Sequence, residues 1–404
     1  MRSWRRPARE NGGAEVPDPQ LPPPIGIDRP GSFSRSVFHE RHPVLVANLL
    51  ADFPYPPHVA EALEALLAES LAGDVPARTP GGPEIHTWHL EVEAHAGRPW
   101  ESLPFLWAES YFYRRLLRAV EYHHYDSPWC GVDPFAPQKH AQLDGPELRA
   151  DLDAYAALRG AGAADRRRAL LLAALWGNQA DLGFRTNNPG ADTSAGDVLV
   201  DDSEALWELA EAPGDAPVIV VADNAGREIT ADLALVDHLL ETAAGPVELH
   251  LKPHPYFVSD ATGQDVVATL AALDRDPHQE VRDLARRLRD AVRMGWLRLR
   301  THGAYVHPTD YRTLPADLAA EFAAAKLVIL KGDLNYRRLV GDLQWDPATP
   351  FAEAAGHFPG PVAALRTAKS DLAVGIDPAR LAKLDAEAPD WRLTGTRAVI
   401  QVHA

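Results

Sequence analysis

The chain is poor in sulfur. Of its 404 residues, one is cysteine (Cys130) and two are methionine. A single cysteine excludes any disulfide within the chain and any zinc centre built on several thiolates, and it fits a reducing cytoplasm. Long apolar runs are missing too: no stretch approaches the roughly 20 apolar residues that cross a bilayer. The Arg-rich start is not followed by an apolar segment, which argues against a secretory signal. Positive charge is also scarce. Lys and Arg number 40 against 57 Asp and Glu, a formal net charge of −17. That balance disfavours nucleic acid or an anionic membrane surface as partner. It leaves room for a small anionic metabolite, because a local basic pocket or a bound metal reverses the field.

What is present is a chain with 46% hydrophobic residues, 35 prolines and 28 glycines. The length allows two or so domains, or one large domain with an extra lobe. Residues 1–30 read as a disordered tail, since Pro17, Pro19, Pro22, Pro23 and Pro24 disfavour regular structure. Residues 31–190 are helical in pattern, with helices over Val59–Leu71, Phe105–Tyr122, Pro146–Leu158 and Arg166–Trp176. Phe105–Tyr122 mixes aromatics with Arg114, Arg115 and Arg118, as a partly buried helix does. From 191 to 404 the pattern changes to short aliphatic runs alternating with helical stretches. Strands are expected at 197–200, 217–222, 246–251, 297–300, 327–330 and 371–375. Helices are expected at 203–211, 230–242, 262–273, 278–293 and 316–325. The alternation predicts a three-layer α/β/α sandwich with a mostly parallel sheet behind a helical N-terminal region.

Three of the aliphatic runs end in polar clusters, where open α/β folds hold ligands. Val218–Val221 leads to Asp223-Asn224-Ala225-Gly226. An acid beside an amide supplies hard oxygen ligands for a divalent cation; equally, Asp-Asn-x-Gly is ordinary turn chemistry. Val247–Leu251 leads to His254 and Asp260. The latter is either a second ligand or the cap of the helix that follows. His254, between two prolines, reads as a loop residue rather than a ligand. Leu327–Leu330 runs into Lys331, Gly332, Asp333, Asn335, Tyr336 and Arg337. A lysine directly after a buried strand is costly without an anionic partner, and Lys and Arg are phosphate-binding donors. Arg366 and Lys369 add two cations before the apolar residues 372–376.

Together these segments resemble the metal-dependent damage-control phosphatases of the acidic-residue methyltransferase type. The likeness rests on Leu175–Leu182 (LWGNQADL), Asp223–Glu228 (DNAGRE), Lys331–Arg337 (KGDLNYR) and the Arg-Thr-x-Lys motif at 366–369, which points to one subfamily. The aromatic helix with Glu109 and the run Val200–Glu204 add to it, so that the likeness spans about 100 to 376. It implies an α/β/α fold after a helical region, and hydrolysis of phosphomonoesters including sugar phosphates. It implies Asp223, Asn224 and Asp260 as ligands of a divalent ion (Mn²⁺, Co²⁺, Ni²⁺ or Mg²⁺), Glu228 as a substrate-contacting acid, Asp333–Arg337 as a substrate-binding stretch and Lys369 as a substrate-binding lysine. Asn178 and Asp181 share the likeness without an assigned role. Arg227 departs from it, standing where relatives carry a large apolar or aromatic residue, and bears on substrate preference.

The mechanism so implied has the metal polarising a phosphoryl oxygen, with Lys331, Lys369 and Arg337 neutralising the phosphate and Asn335 and Glu228 orienting the remainder. Asp223 lacks a second acid two residues on, so the haloacid-dehalogenase route is not supported. A protein-carboxylate methyltransferase using S-adenosylmethionine is the rival activity, but no Gly-rich turn follows any expected strand. A non-catalytic sugar-phosphate-binding protein is the third reading.

Overall fold

The computed structural model describes residues 21–77, 81–83, 85–177 and 198–404. Asn178 and Asp181 lie outside them. Seven strands form one sheet: β1 (Val198–Asp201), β2 (Val218–Val221), β3 (Val247–Leu251), β4 (Leu297–Thr301), β5 (Leu327–Lys331), β6 (Val362–Thr367) and β7 (Ala398–His403). Their order is β1-β7-β6-β5-β2-β3-β4. Only β6 and β7 pair antiparallel; every other pair is parallel. The central strands β2, β3 and β5 are buried at every residue. This explains the aliphatic runs of β2 and β5, since helices cover both faces; β3 instead alternates, with Glu248 and His250 between Val247, Leu249 and Leu251.

One face packs on helices that include Ala163–Trp176, Arg227–Thr242 and Gln279–Met294, through Leu171, Leu235, Leu239 and Leu288. The other packs on Ala316–Ala324 and Gly332–Val340, through Leu318, Phe322, Tyr336 and Leu339. These are the three layers that the alternation predicts. A separate core in the helical region runs from Ile27 to Phe135 and includes Trp88, Trp100, Tyr111 and Phe112. Its central helix, Phe105–Ala119, is buried on nearly all sides rather than on one. Leu148, Leu152 and the helix Ala163–Trp176 pack into the α/β core instead.

Three readings change. Residues 372–376 form no strand. Their apolar side chains are buried, but Gly375 sits at φ +74° and breaks the extended run. Their carbonyls accept from side chains, Leu372 O from Arg366 Nη1 at 2.6 Å and Val374 O from Gln401 Nε2 at 2.8 Å. The strands in this part of the chain are β6 and β7. Within residues 21–30, read as tail, the chain is anchored from Pro23, whose carbonyl accepts from Gln344 N–H at 2.9 Å. Ile25 N–H donates to Asp342 O at 3.0 Å, and Phe105 N–H donates to Ile25 O at 2.8 Å. Prolines exclude this segment from helices but not from such extended bridges.

The third concerns Arg337, expected on a substrate. Its guanidinium lies over the Phe105 ring at 4.2 Å, held by Glu109 at 2.8 Å and by Asp342 at 2.8 and 3.1 Å. All three charged residues are buried. Asp342 also accepts from Leu106 N–H at 3.1 Å. Arg337 therefore clamps the aromatic helix to the sheet domain. Replacing it with Ala strands two buried carboxylates, and we expect a loss of about 3–5 kcal/mol in urea unfolding. A loss below about 1 kcal/mol, the value of an exposed ion pair, would reject the clamp.

Candidate active site

The strand order creates the site. β2 and β5 are neighbours, but the helix after β2 (Arg227–Thr242) packs on one face and the helix after β5 (Gly332–Val340) on the other. The carboxyl ends of the two strands therefore part to form a crevice, the position at which open α/β sheets bind ligands. Asp223 and Asn224 lie at one lip, Lys331, Gly332 and Asp333 at the other. The approach is close. Gly332 has φ +79°, and a Cβ there would run into the Asp223 carboxylate. Only glycine fits both conditions.

Asp260 joins them from the loop after β3. Asn224 and Asp260 form an isolated bridge, with Ala261 N–H donating to Asp223 O at 2.8 Å and Ala225 N–H to Ser259 O at 2.6 Å. Asp260 is not a helix cap. Thr262 caps the following helix in a reciprocal box with Asp265, which leaves Asp260 for the crevice. Asn224 is the connector. Its amide donates to Asp223 Oδ2 at 3.0 Å and Glu228 Oε2 at 2.8 Å, and its Oδ1 accepts from Ser259 Oγ at 2.5 Å. Glu228 in turn rests against the turn at Gly177, where a Cβ would sit 2.7 Å from Glu228 Cγ. That contact gives the Trp176-Gly177 pair a purpose beyond ending its helix.

Charge decides what this arrangement can hold. Asp223, Glu228, Asp232 and Asp260 are all buried, and the cations among them are Lys252 and Lys331. Lys252 Nζ lies 3.8 Å from Asp260 and 3.4 Å from Ala222 O. Lys331 Nζ lies 2.8 Å from Asp232 and 3.6 Å from Glu228, and donates to Ala174 O. Fully ionised, these carboxylates exceed the lysines by two charges. Burial, followed by the fields of Glu228, Asp260 and Asp333, drives the Asp223 carboxyl well above its ordinary range. Asp223 Oδ1 has no hydrogen-bond partner despite being buried. An orphaned carboxylate oxygen in an acidic crevice two charges short of neutral fits a divalent cation.

The remaining expected residues fall around this centre. Asn335 is buried and structural, its amide donating to Lys331 O at 2.7 Å while its Oδ1 accepts from Tyr311 OH at 2.8 Å. Tyr336 OH donates to Gln401 at 2.9 Å, under the Arg366 guanidinium. Asp333 pairs with Arg366 at 2.7 Å and accepts from Ser370 Oγ at 3.2 Å. Lys369, half-buried beside Ser370, has no ion pair or hydrogen bond among the described residues. His254 stays in its loop, bonded to Pro255 O at 2.8 Å. Arg227 turns away to Asp151, which it grips at 2.7 and 3.1 Å.

Two contributors escape sequence reasoning, Asp232 and Lys252. The signal for Asp232 was an acid four residues after Glu228 on an otherwise apolar helix face. Lys252 carried the same signal as Lys331, a lysine directly after a buried strand.

With this geometry described, likeness to known proteins becomes informative. Residues 37–384 match the model of the damage-control phosphatase ARMT1-like domain. The chain is 28% identical to mouse damage-control phosphatase ARMT1, over 92% of this chain and 96% of that protein. It is 30% identical to its human counterpart, over 75% of each. A DUF89 family protein from Pyrococcus horikoshii superposes with a TM-score of 0.47 at 14% identity, covering 90% of this chain and 97% of that one. The family match sets the class, a phosphatase of the house-cleaning type. The chain belongs to the ARMT1-like damage-control phosphatase family. The family name implies a small phosphorylated substrate and, with the donor set, a divalent metal. Among the described residues no helix is long and apolar enough to cross a membrane.

The raised Asp223 carboxyl has a consequence for the metal-free protein. Its folded pKa exceeds its unfolded value of about 4, so between the two the native state holds the extra proton. Stability then falls as pH rises through that window. Asp223→Asn removes part of the slope. Thermal melts in EDTA across pH check this, and an unchanged slope in the variant would overturn it.

Proposed function

We propose that the protein is a metal-dependent phosphatase hydrolysing small phosphomonoesters, with sugar phosphates such as fructose phosphates as the substrate class. The observation that carries this reading is the buried, partnerless Asp223 Oδ1 at the fork of β2 and β5. Asp223, Asn224 and Asp260 would hold the ion, which when bound supplies Lewis-acid polarisation of a phosphoryl oxygen. Mn²⁺, Co²⁺, Ni²⁺ and Mg²⁺ are the candidates, because the donors are oxygens.

The chain's own residues divide the remaining work. Lys252 and Lys331 lie beneath the carboxylates as fixed counter-charges, so the crevice tolerates four acids without unfolding. Lys331 serves the chemistry from behind, pairing with Asp232 and Glu228, rather than by touching phosphate. Among the described residues, Lys369 is the cation left to meet the phosphate. Glu228 and Asp333 present oxygens to substrate hydroxyls. Asn335, Tyr336 and Arg337 hold that lip rigid. Arg227, engaged with Asp151, acts on substrate choice only through the position of the helix it begins.

A panel of phosphate esters against the four metals tests the proposal. Turnover should be metal-stimulated, and Asp223→Ala should abolish it; near-wild-type rates in that variant, or no turnover with any metal, would refute it. Lys369→Ala should raise KM by about 10–100-fold, the value of a charged hydrogen bond, with the melting temperature unmoved. An unchanged KM would remove Lys369 from the substrate.

A further inference from the structure

A second polar cluster lies on β3 and serves no purpose in the crevice. Side chains alternate along a strand, so Leu249 and Leu251 face one helical layer while Glu248 and His250 face the other. On that side His250 packs against Phe322 and Tyr305, with ring centroids 6.1 and 5.8 Å away. Glu321, from the helix Ala316–Ala324, reaches the same spot. His250 Nε2 lies 3.5 Å from Glu248 Oε2 and 3.8 Å from Glu321 Oε1. One ligand atom from each of the three falls within 4.8 Å of the others.

We propose that Glu248, His250 and Glu321 form a second metal site, independent of the crevice, for a borderline divalent transition ion of the Zn²⁺ type. Three observations carry it. First, the donors face each other without satisfying each other. His250 is 1% exposed; its Nε2 and Glu248 Oε2 lie 3.5 Å apart without a well-formed hydrogen bond, and the other group near that oxygen is Arg300 Nε at 4.0 Å. Buried polar atoms are seldom left so. Second, the spacing suits a tetrahedral ion. Ligands about 2.0–2.2 Å from Zn²⁺ lie about 3.3 Å apart, so 3.5 and 3.8 Å need only small inward shifts.

Third, the outer groups are in place. His250 Nδ1 is 2.5 Å from Tyr305 OH; with Nδ1 protonated and donating there, the Nε2 lone pair faces the carboxylates. Arg298 Nη1 donates to Glu248 Oε1 at 3.0 Å, the oxygen turned away from His250. Arg300 Nη2 donates to Glu321 Oε1 at 3.1 Å. One imidazole with two carboxylates, rather than oxygens alone, favours Zn²⁺ over Mg²⁺. Glu321 is partly exposed, which gives the ion a route in and an open fourth position. The alternative is an ion-pair network with a charged His250 between two glutamates. It needs no metal and should be indifferent to one.

Co²⁺ reports on the site through its visible absorption in tetrahedral surroundings, and Zn²⁺ should displace it. The EDTA-treated full chain is titrated as wild type, Asp223→Asn, His250→Gln and Glu321→Gln. The Co²⁺ band should persist in Asp223→Asn, whose crevice is disabled. It should be lost, with affinity down on the order of 100-fold or more, in His250→Gln and in Glu321→Gln. Saturating Zn²⁺ should raise the melting temperature of Asp223→Asn but of neither ligand variant. A band absent from Asp223→Asn, or equal in all four proteins, overturns the proposal. Glu321 sits on a partly exposed helix, so its variant decides the question even if His250→Gln does not fold. Phosphatase turnover is not part of the readout, so this site and the crevice stand or fall separately.

Discussion

The structure depends on burying more negative than positive charge where β2 and β5 part. Isolated carboxylates in such a place would be protonated or would draw water in. Here Lys331 and Lys252 are fixed beneath the crevice, and Asn224 joins two carboxylates with one neutral amide. Glycine at 332 and 177 removes the side chains that would hold Asp223 and Glu228 away. Each device lowers the cost of assembling the acids, and none cancels it. On the proposed function, the residual imbalance would give a cation a reason to bind.

The sequence showed some of this clearly and hid the rest for physical reasons. β2 and β5 were legible because strands buried on both faces are aliphatic nearly throughout, and β3 because its apolar residues alternate. β6 was not, since Ala363, Ala364 and Arg366 lack the signature of a strand. The more aliphatic residues 372–376 took its place, although Gly375 and the side chains of Arg366 and Gln401 hold them outside the ladder. Asp223 and Asp260 were legible by position, each in the loop that follows a strand. Arg337 was misjudged because charge density after a strand looks the same whether it meets ligand or protein. Its partners Glu109 and Asp342 declare themselves only in three dimensions. Asp232 and Lys252 were hidden likewise, each paired across distant segments.

β3 illustrates how one strand serves two purposes. Leu249 and Leu251 supply the apolar face, while Glu248, His250 and Lys252 project to the other side at the alternating positions. Lys252 is the last of these and touches Asp260. A strand this short carries both core and polar function because its two faces are chemically separate. A register slip of one residue would exchange them.

The Glu109–Arg337 contact spans 228 residues of sequence. On the ribosome the aromatic helix emerges long before its clamp exists. Until β5 and the helix after it are made and docked, Glu109 lacks the guanidinium that it pairs with in the fold. The helical region therefore waits, partly open, for more than half of the chain's synthesis. Late closure of so distant a contact leaves this helix open to chaperones and to misassembly during biogenesis.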